Sequence, residues 1–295
     1  MQVLILSRDR GLYSTRRLEE AAQDRHHQTR VVDYLQCRLE THGLVPVVTF
    51  RDQQLTGFDA VIPRIGASRT FFGTAVVRHF EAAGTVTINT GDAITRSRDK
   101  LHALQLLTLA GLDLPTTAFT HSSRGVAGLV EAVGGAPVVI KLVEGSRGAG
   151  VVLAETAEAA ESVITALHML EGHLLVQNFV AEAEGRDIRA FVVGGRVVAS
   201  MMRVARPGEF RANLHRGATA EAVEITEEEA EMSVRAANAM GLDIAGVDFL
   251  RGDRGPLFLE VNSSPGLEGI EGYTGVDVAG AIIEHMEKKF AGRSQ

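Results

Sequence analysis

The chain has 295 residues, enough for two or three packed units. Apolar residues make up 45% and charged residues 23%, a globular balance, and the formal net charge of −7 argues against nucleic acid as a direct partner, because phosphate backbones recruit basic surfaces. A single cysteine, Cys37, excludes an intrachain disulfide and suits a reducing compartment. The opening apolar run at 3–6 is too short for a secretory signal and nothing later reaches a membrane span, so a cytoplasmic protein with no membrane partner is expected.

Residues 3–6 read as a short buried strand. Ser14 is placed to cap a helix running to about Arg25, with Leu18, Ala21 and Ala22 on one face. Strand-like runs follow at 30–33, 45–50 and 59–62, then a helix over 70–83 and a further run at 86–89. Strands alternating with helices predict a mostly parallel α/β layer. One helix, 98–109, leads out of it and stops at Gly111, with Pro115 beyond. The pattern then changes to strands at 116–119, 138–141, 151–153 and 174–179 with helices at 124–133 and 157–170, a small α+β unit. Strands at 188–193 and 196–202 are joined by Gly194-Gly195, a two-residue hairpin signal. A helix at 227–240, a strand pair within 245–262 and a final helix at 276–290 complete the chain.

The strand pair carries the strongest chemical pattern: Gly246-Val247-Asp248-Phe249-Leu250, a polar turn, then Pro256-Leu257-Phe258-Leu259-Glu260-Val261-Asn262. A turn centred near Arg254 sets Asp248 across from Glu260, and strand alternation turns Glu260 and Asn262 to one side. Val247, Phe249, Leu259 and Val261 then share the opposite, apolar face and fix the register. Facing carboxylates repel unless a cation lies between them, and two carboxylates with an amide make an all-oxygen set suited to Mg²⁺ or Mn²⁺. On spacing alone, a solvated acidic sheet face accounts for the same residues.

Pro137-Val138-Val139-Ile140-Lys141 is a buried strand ending in lysine, followed by Glu144-Gly145-Ser146-Arg147-Gly148-Ala149-Gly150. Such a glycine-rich loop lets backbone amides approach phosphate. A dinucleotide fingerprint or P-loop needs a helix next, whereas Val151-Val152-Leu153 reads as a strand. The loop is therefore a hairpin flap over phosphates or a surface turn. Lys100 opens a helix and offers a second cation. Asp187-Ile188-Arg189 offers a carboxylate to ribose, or a surface ion pair. Gln177-Asn178-Phe179-Val180 leaves a strand where a backbone hinge for adenine would lie. Arg203, Arg206, Arg211 and Arg216 cluster with Asn213 and His215, as a solvated loop or as a clamp for carboxylate or phosphoryl oxygens. Cys37 has no activating context, and no Ser/His/Asp arrangement is visible.

Together these segments resemble the ATP-grasp superfamily and, within it, the RimK family of alpha-L-glutamate ligases. The resemblance runs along nearly the whole chain. It is carried by Ile5-Leu6-Ser7-Arg8-Asp9, Val61-Ile62-Pro63-Arg64-Ile65-Gly66, Arg98-Asp99-Lys100, Lys141-Leu142-Val143-Glu144-Gly145 and the segment from Gly208 to Gly217. Its most specific run is Glu260-Val261-Asn262-Ser263-Ser264-Pro265-Gly266-Leu267-Glu268-Gly269-Ile270-Glu271. It implies an α/β and α+β chain, an ATP-grasp fold preceded by an N-terminal parallel α/β domain, with units at 1–95, 96–187 and 188–295.

The resemblance also implies roles. Lys100 and Lys141 bind ATP phosphates under the loop containing Gly145, Ser146, Gly148 and Gly150. Gln177, Asn178, Phe179 and Val180 form the adenine hinge; Asp187 holds the ribose, with Arg189 beside it. Asp248, Glu260 and Asn262 bind two Mg²⁺ (or Mn²⁺) ions, Glu260 bridging. Arg211 and Asn213 meet the transferred phosphoryl group, Arg203 helps seat a carboxylate, and Ser7, Arg8 and Pro63 to Gly66 line the acceptor side. The implied reaction phosphorylates a carboxylate and joins it to the amine of glutamate, releasing ADP and phosphate. The implied acceptor is the C-terminus of the sixth small-subunit ribosomal protein or a poly-glutamate chain, and the enzyme is expected to be a homo-oligomer. A ligase adding glutamate or another amino acid to a small cofactor or carrier shares the same chemistry. Asn178 departs from the family, where glutamate is common; so do Ala218, where a second glycine is common, and His26, where glycine is usual.

Overall fold

The computed structural model describes residues 1–43, 45–121, 126–143, 150–169, 173–214 and 217–293. It begins with β1 (Gln2–Leu6), α1 (Tyr13–Asp24) and β2 (Gln28–Val32), followed by a three-stranded antiparallel sheet of β3 (Cys37–His42), β4 (Val45–Phe50) and β5 (Gln53–Gln54). Next come β6 (Ala60–Pro63), α2 (Thr70–Ala82) and β7 (Val86–Thr87). Strands β2-β1-β6-β7 lie in that order, all parallel. Val3 to Leu6 are fully buried because both faces of the sheet are covered. Leu4 and Leu6 pack with Val76, Val77 and Phe80 of α2, while Val3 and Ile5 pack with Leu18 and Ala22 of α1.

Two sequence expectations change here. Ser14 does not cap α1; Leu12 occupies that position without a side-chain bond, and Ser14 Oγ instead accepts from the Leu267 amide at 3.0 Å. The hydroxyl serves a helix start more than 250 residues away, which no local signal encodes. The single helix expected over 98–109 is two, α3 (Gly91–Arg98) and α4 (Lys100–Leu109). Asp99 between them is extended (φ −81°, ψ 101°) and its side chain accepts from the His102 amide, so it caps α4 and makes Lys100 that helix's first residue.

The middle of the chain supplies β8 (Thr117–Phe119), α5 (Val126–Ala132), β9 (Val138–Leu142), β10 (Val151–Ala154), α6 (Ala157–Met169) and β11 (Leu174–Asn178). These strands form an antiparallel sheet ordered β10-β9-β11-β8, with Val130, Ile140, Ile164 and Val176 in its core.

The last sheet, β14-β13-β12-β15-β16, contains β12 (Arg186–Val193), β13 (Arg196–Val204), β14 (Thr219–Ala222), β15 (Ile244–Gly252) and β16 (Gly255–Asn262). The expected Gly194-Gly195 turn joins β12 to β13, with φ of 56° and 77° that glycine adopts without strain. One face packs on α4 and α7 (Glu227–Met240), the latter started by a capping box between Thr226 and Glu229. The other packs on α8 (Leu267–Thr274) and α9 (Val278–Arg293), whose Ile282, Ile283 and Met286 also meet Val3 and Ile5 of the first sheet. Strands β3 and β14 and helix α8 had no periodic signal long enough to predict. Among the described residues, no helix is long and apolar enough to cross a membrane.

Candidate active site

The hairpin β15–β16 places Asp248 opposite Glu260, as the alternation requires, but by a different route. Its tip pairs Gly252 with Gly255, a register that alone would set Asp248 against Leu259. A bulge between Asp248 and Phe249 absorbs the extra residue and restores the carboxylate pair. The bulge also corrects the expected apolar face. Phe258, not Leu259, enters the core against Phe249, with ring centroids 5.5 Å apart. Leu259 turns out to line the cleft.

The two carboxylates have unlike surroundings. Asp248 is buried and takes Arg189 Nε on Oδ1 at 2.7 Å and Arg189 Nη2 on Oδ2 at 2.6 Å. Arg203 Nη2 adds 2.8 Å to Oδ2 and also donates, with Nε, to both oxygens of Asp187 at 2.8 and 2.5 Å. Two aspartates and two arginines thus form a closed, neutral set. Burial alone would raise the Asp248 carboxyl, but the two guanidinium groups outweigh it and hold it down at about 2. Asp187 shares its one guanidinium, and burial lifts it to about 6 against the pull of Arg203. Glu260 is exposed, and its Oε1 accepts from Asn262 Nδ2 at 2.9 Å.

The cations opposite Glu260 come from other elements. Lys141 near the end of β9 donates to Gln177 Oε1 at 2.6 Å, and Gln177 Nε2 donates to Thr117 Oγ1 at 2.7 Å, so a chain across three strands fixes the ammonium. Burial pulls the Lys141 ammonium down to about 8, and Lys100 pulls it the same way, with Glu260 opposing both. Lys100 reaches the Leu142 carbonyl; burial lowers it and Glu260 opposes. Arg211 grips Glu209 through Nε and Nη2 at 2.8 and 2.7 Å and extends Nη1 to the Val151 carbonyl at 3.1 Å, at the start of β10. The hydrogen bonds from Arg211 hold Glu209 at about 2.

These residues meet at a cavity of about 200 Å³ between the β10-β9-β11-β8 sheet and the last sheet. Its wall includes Lys100, Lys141, Asp187, Arg203, Asp248 and Glu260, with Arg211 and Asn213 at one side. Gln177 to Val180 form another side; the Asn178 amide donates to Thr116 O, and the buried Asn178 Oδ1 makes no hydrogen bond among the described residues. Arg189, Asn262 and Gly150 are not among its lining residues; Arg189 is bonded to Asp248 and Asn262 to Glu260. Gly145, Ser146 and Gly148 of the expected flap, and His215 and Arg216, lie outside the described residues. Sequence reasoning missed the apolar lining, Val139, Phe210, Leu250 and Leu259; alternation placed Val139 on the Lys141 face, a signal that was present.

The donor chemistry fits a divalent cation. Carboxylate and amide oxygens from Asp248, Glu260 and Asn262 make an oxygen set, and Glu260 Oε2 accepts no hydrogen bond among the described residues. Asp248 is already counterbalanced by arginine, so Glu260 and Asn262 are the open part of the set. A larger cavity, about 640 Å³, lies against β4, β5 and the end of α2, but its Asp59 already accepts from the Gln2 amide and its His79 bonds Ala75 O. The convergent ionisable groups are in the smaller one, and the chemistry belongs there.

Comparisons with known proteins identify the family. The family described as RimK-like ATP-grasp domain matches residues 97–286, and that described as RimK PreATP-grasp domain matches residues 1–94. A relative from Picosynechococcus sp., named probable alpha-L-glutamate ligase, is 58% identical over 99% of this chain and 97% of its own. One of the same name from Serratia proteamaculans is 55% identical over 98% and 96%. Among solved structures, the ATP-grasp ligase PsnB complexed with minimal precursor aligns with a TM-score of 0.76 at 25% identity, covering 98% of both chains. A RimK domain protein from Sphaerobacter thermophilus aligns at 0.75 and 24% identity, covering 97% of this chain and 99% of that one. The chain belongs to the RimK-like ATP-grasp family.

Proposed function

We propose that the chain is an ATP-dependent alpha-L-glutamate ligase, which activates a carboxylate as an acyl phosphate and joins it to the amine of glutamate. The observation that carries this reading is the convergence of Lys100, Lys141 and Arg211 on a cavity whose floor is the open Glu260 of the hairpin. Cations on one side and an oxygen set on the other match the charge of a triphosphate and its metal.

A carboxylate is a poor acyl donor. In the first step its oxygen attacks the γ-phosphorus of ATP, and the bond to the bridging oxygen breaks, releasing ADP. The glutamate nitrogen then attacks the acyl carbon; the carbon–oxygen bond to phosphate breaks, phosphate leaves with the electron pair, and the amine proton passes to water. Lys100 and Lys141 hold the β- and γ-oxygens, and Arg211 with Asn213 meets the phosphoryl group in transfer. The hinge at Gln177 to Val180 takes adenine and Asp187 takes the ribose. Asp248, Glu260 and Asn262 would hold magnesium, as two ions, and Mn²⁺ suits the same donors. The metal, when bound, neutralises charge on the phosphate oxygens. Arg189 and Arg203 keep Asp248 ionised and in place.

The proposed units are 1–95, 96–187 and 188–295; support for this reading is that the parallel sheet with β3-β4-β5, the β10-β9-β11-β8 sheet and the last sheet succeed one another along the chain. The proposed acceptor is the C-terminus of the sixth small-subunit ribosomal protein, with iterative growth of a poly-glutamate chain as the extension of the same step, in the cytoplasm. Incubation of the purified protein with ATP, Mg²⁺, glutamate and that ribosomal protein, followed by mass spectrometry, tests it. Glutamyl-sized increments with ADP release are expected. ADP release with a small acceptor and an unmodified ribosomal protein would overturn the acceptor.

A further inference from the structure

Arg64 and Arg98 do not line the cavity just described; they stand at the seam between the first sheet and the segment that follows the β15–β16 hairpin. Arg64, directly after β6, donates from Nη2 to the Pro265 carbonyl at 2.6 Å. Arg98, the last residue of α3, donates from Nη2 to the carbonyl of Ile65, the neighbour of Arg64, at 3.0 Å. Each half-buried guanidinium is thus tethered by one carbonyl and retains most of its five N–H donors. Among the described residues neither has a carboxylate within ion-pair distance, whereas Arg10, Arg17, Arg25, Arg189 and Arg203 all do.

Three further polar atoms are buried without a hydrogen bond among the described residues: Arg98 Nε, and Ser263 Oγ and Ser264 Oγ of the two residues that precede the Pro265 held by Arg64. Buried donors are almost always satisfied, and two neighbouring cations without a counter-charge are costly. Burial, and then Arg98, pull Arg64 down to about 10; burial lowers Arg98 as well, with Glu260 opposing. Such a pair of fixed arginines, with unpartnered hydroxyls on the two residues before the carbonyl that Arg64 holds, has the donors to seat a planar anion. Arg98 lies two residues before Lys100, which lines the cavity, so the seam borders the reacting centre.

We infer that Arg64 and Arg98, with Ser263 and Ser264, seat a substrate carboxylate other than the one being activated. This rests on the ligase reading. The activated carboxylate must lie with Lys100, Lys141 and Arg211, and its charge passes to phosphate. A carboxylate that keeps its charge through the cycle suits guanidinium groups tethered to backbone carbonyls. Glutamate supplies such groups on either partner: the incoming amino acid keeps its α- and γ-carboxylates, and an acceptor ending in glutamate keeps its side-chain carboxylate.

The test compares wild type with Arg98→Gln and Ser264→Ala, using glutamate, its α-amide and its γ-amide as amines, and acceptors ending in glutamate or glutamine. Neutralising the seated carboxylate is expected to lower wild-type kcat/KM about 10²-fold, mostly through KM, and to cost Arg98→Gln under about threefold. The replacement that shows this coupling names the source. Ser264→Ala breaks no internal hydrogen bond, so it reports on the seat even if Arg98→Gln misfolds; a KM raised about threefold or more for the same substrate is expected. Equal losses in wild type and both variants for every replacement would overturn the seat. ADP release with another amino acid would remove the glutamate reading alone, and the same comparison with that amino acid and its amides then decides the seat. If no amine drives release, the ligase reading fails, and calorimetry with glutamate decides: equal affinity in wild type and Ser264→Ala, or no binding, overturns the seat.

Discussion

Asn89 pairs with Ile244 as a strand would: its Oδ1 accepts from the Ile244 amide at 2.9 Å and its Nδ2 donates to the Ile244 carbonyl at 2.8 Å. The same Nδ2 reaches Ser263 O at 2.9 Å, so one side chain after β7 holds the start of β15 and the residue after β16. Asn89 is buried with φ 68°, a conformation asparagine tolerates better than most residues. Asn89→Ala should cost about 2–4 kcal/mol of stability, because it strands buried partners as well as straining the backbone. Asn89→Gly relieves the strain but not the lost bonds and should recover only part. Urea denaturation of both variants measures the split; equal stability of Asn89→Ala and wild type would show that the clamp contributes nothing.

Glu260 and Asp248 face each other, yet their neutralisation should have opposite profiles. Glu260 is exposed and its side chain hydrogen-bonds only Asn262 among the described residues, so Glu260→Gln should leave unfolding free energy within about 0.5 kcal/mol while lowering turnover at least about 10³-fold. Asp248→Asn instead removes the counter-charge of part-buried Arg189 and one of the two carboxylates on buried Arg203, and should destabilise by about 3–5 kcal/mol. Parallel denaturation curves and ADP-release assays separate the two. Wild-type turnover in Glu260→Gln would remove the metal assignment.

Lys141 gives the site a pH dependence with a definite sign. Its ammonium, lowered to about 8 by burial, must be charged to hold phosphate. Affinity of the free protein for ATP should therefore be level below about pH 7 and fall up to tenfold per pH unit above about 8. Equilibrium binding, rather than turnover, isolates this from ionisation of the attacking amine. An ATP affinity unchanged to pH 9.5 would count against Lys141 as a phosphate contact.

The parts legible in the sequence were those that repeat within a few residues. Alternation along 246–250 and 256–262 placed Asp248 against Glu260, and the two glycines at 194–195 announced their turn. The bulge that swaps Phe258 for Leu259 in the core was not legible, because a tip one residue shorter than expected leaves no trace in apolar spacing. Asp99 looked like part of a helix because its capping bond competes with helix continuation at equal local cost. Ser14, Asn89, Arg64 and Arg98 all make contacts across segments far apart in sequence, and such partners are chosen by tertiary packing alone.

Asp243 should govern the acid limb of stability. It accepts from the Asn89 amide at 3.3 Å, from Lys289 Nζ at 2.6 Å and from His285 Nε2 at 3.3 Å, joining the strand entry to α9. Burial alone would raise its carboxyl, but the bonds from His285 and Lys289 outweigh burial and hold it at about 2. A carboxylate depressed in the folded state stabilises above its unfolded pKa of about 3.9 and loses that contribution as pH falls through the folded value. The depression is worth roughly 2 kcal/mol at neutral pH. Asp243→Asn should therefore be less stable than wild type by roughly that amount at pH 7. The gap should close between about pH 4 and pH 2. Thermal unfolding of both proteins across this range reads the difference directly, and a gap that stays constant with pH would mean that Asp243 acts through packing rather than charge.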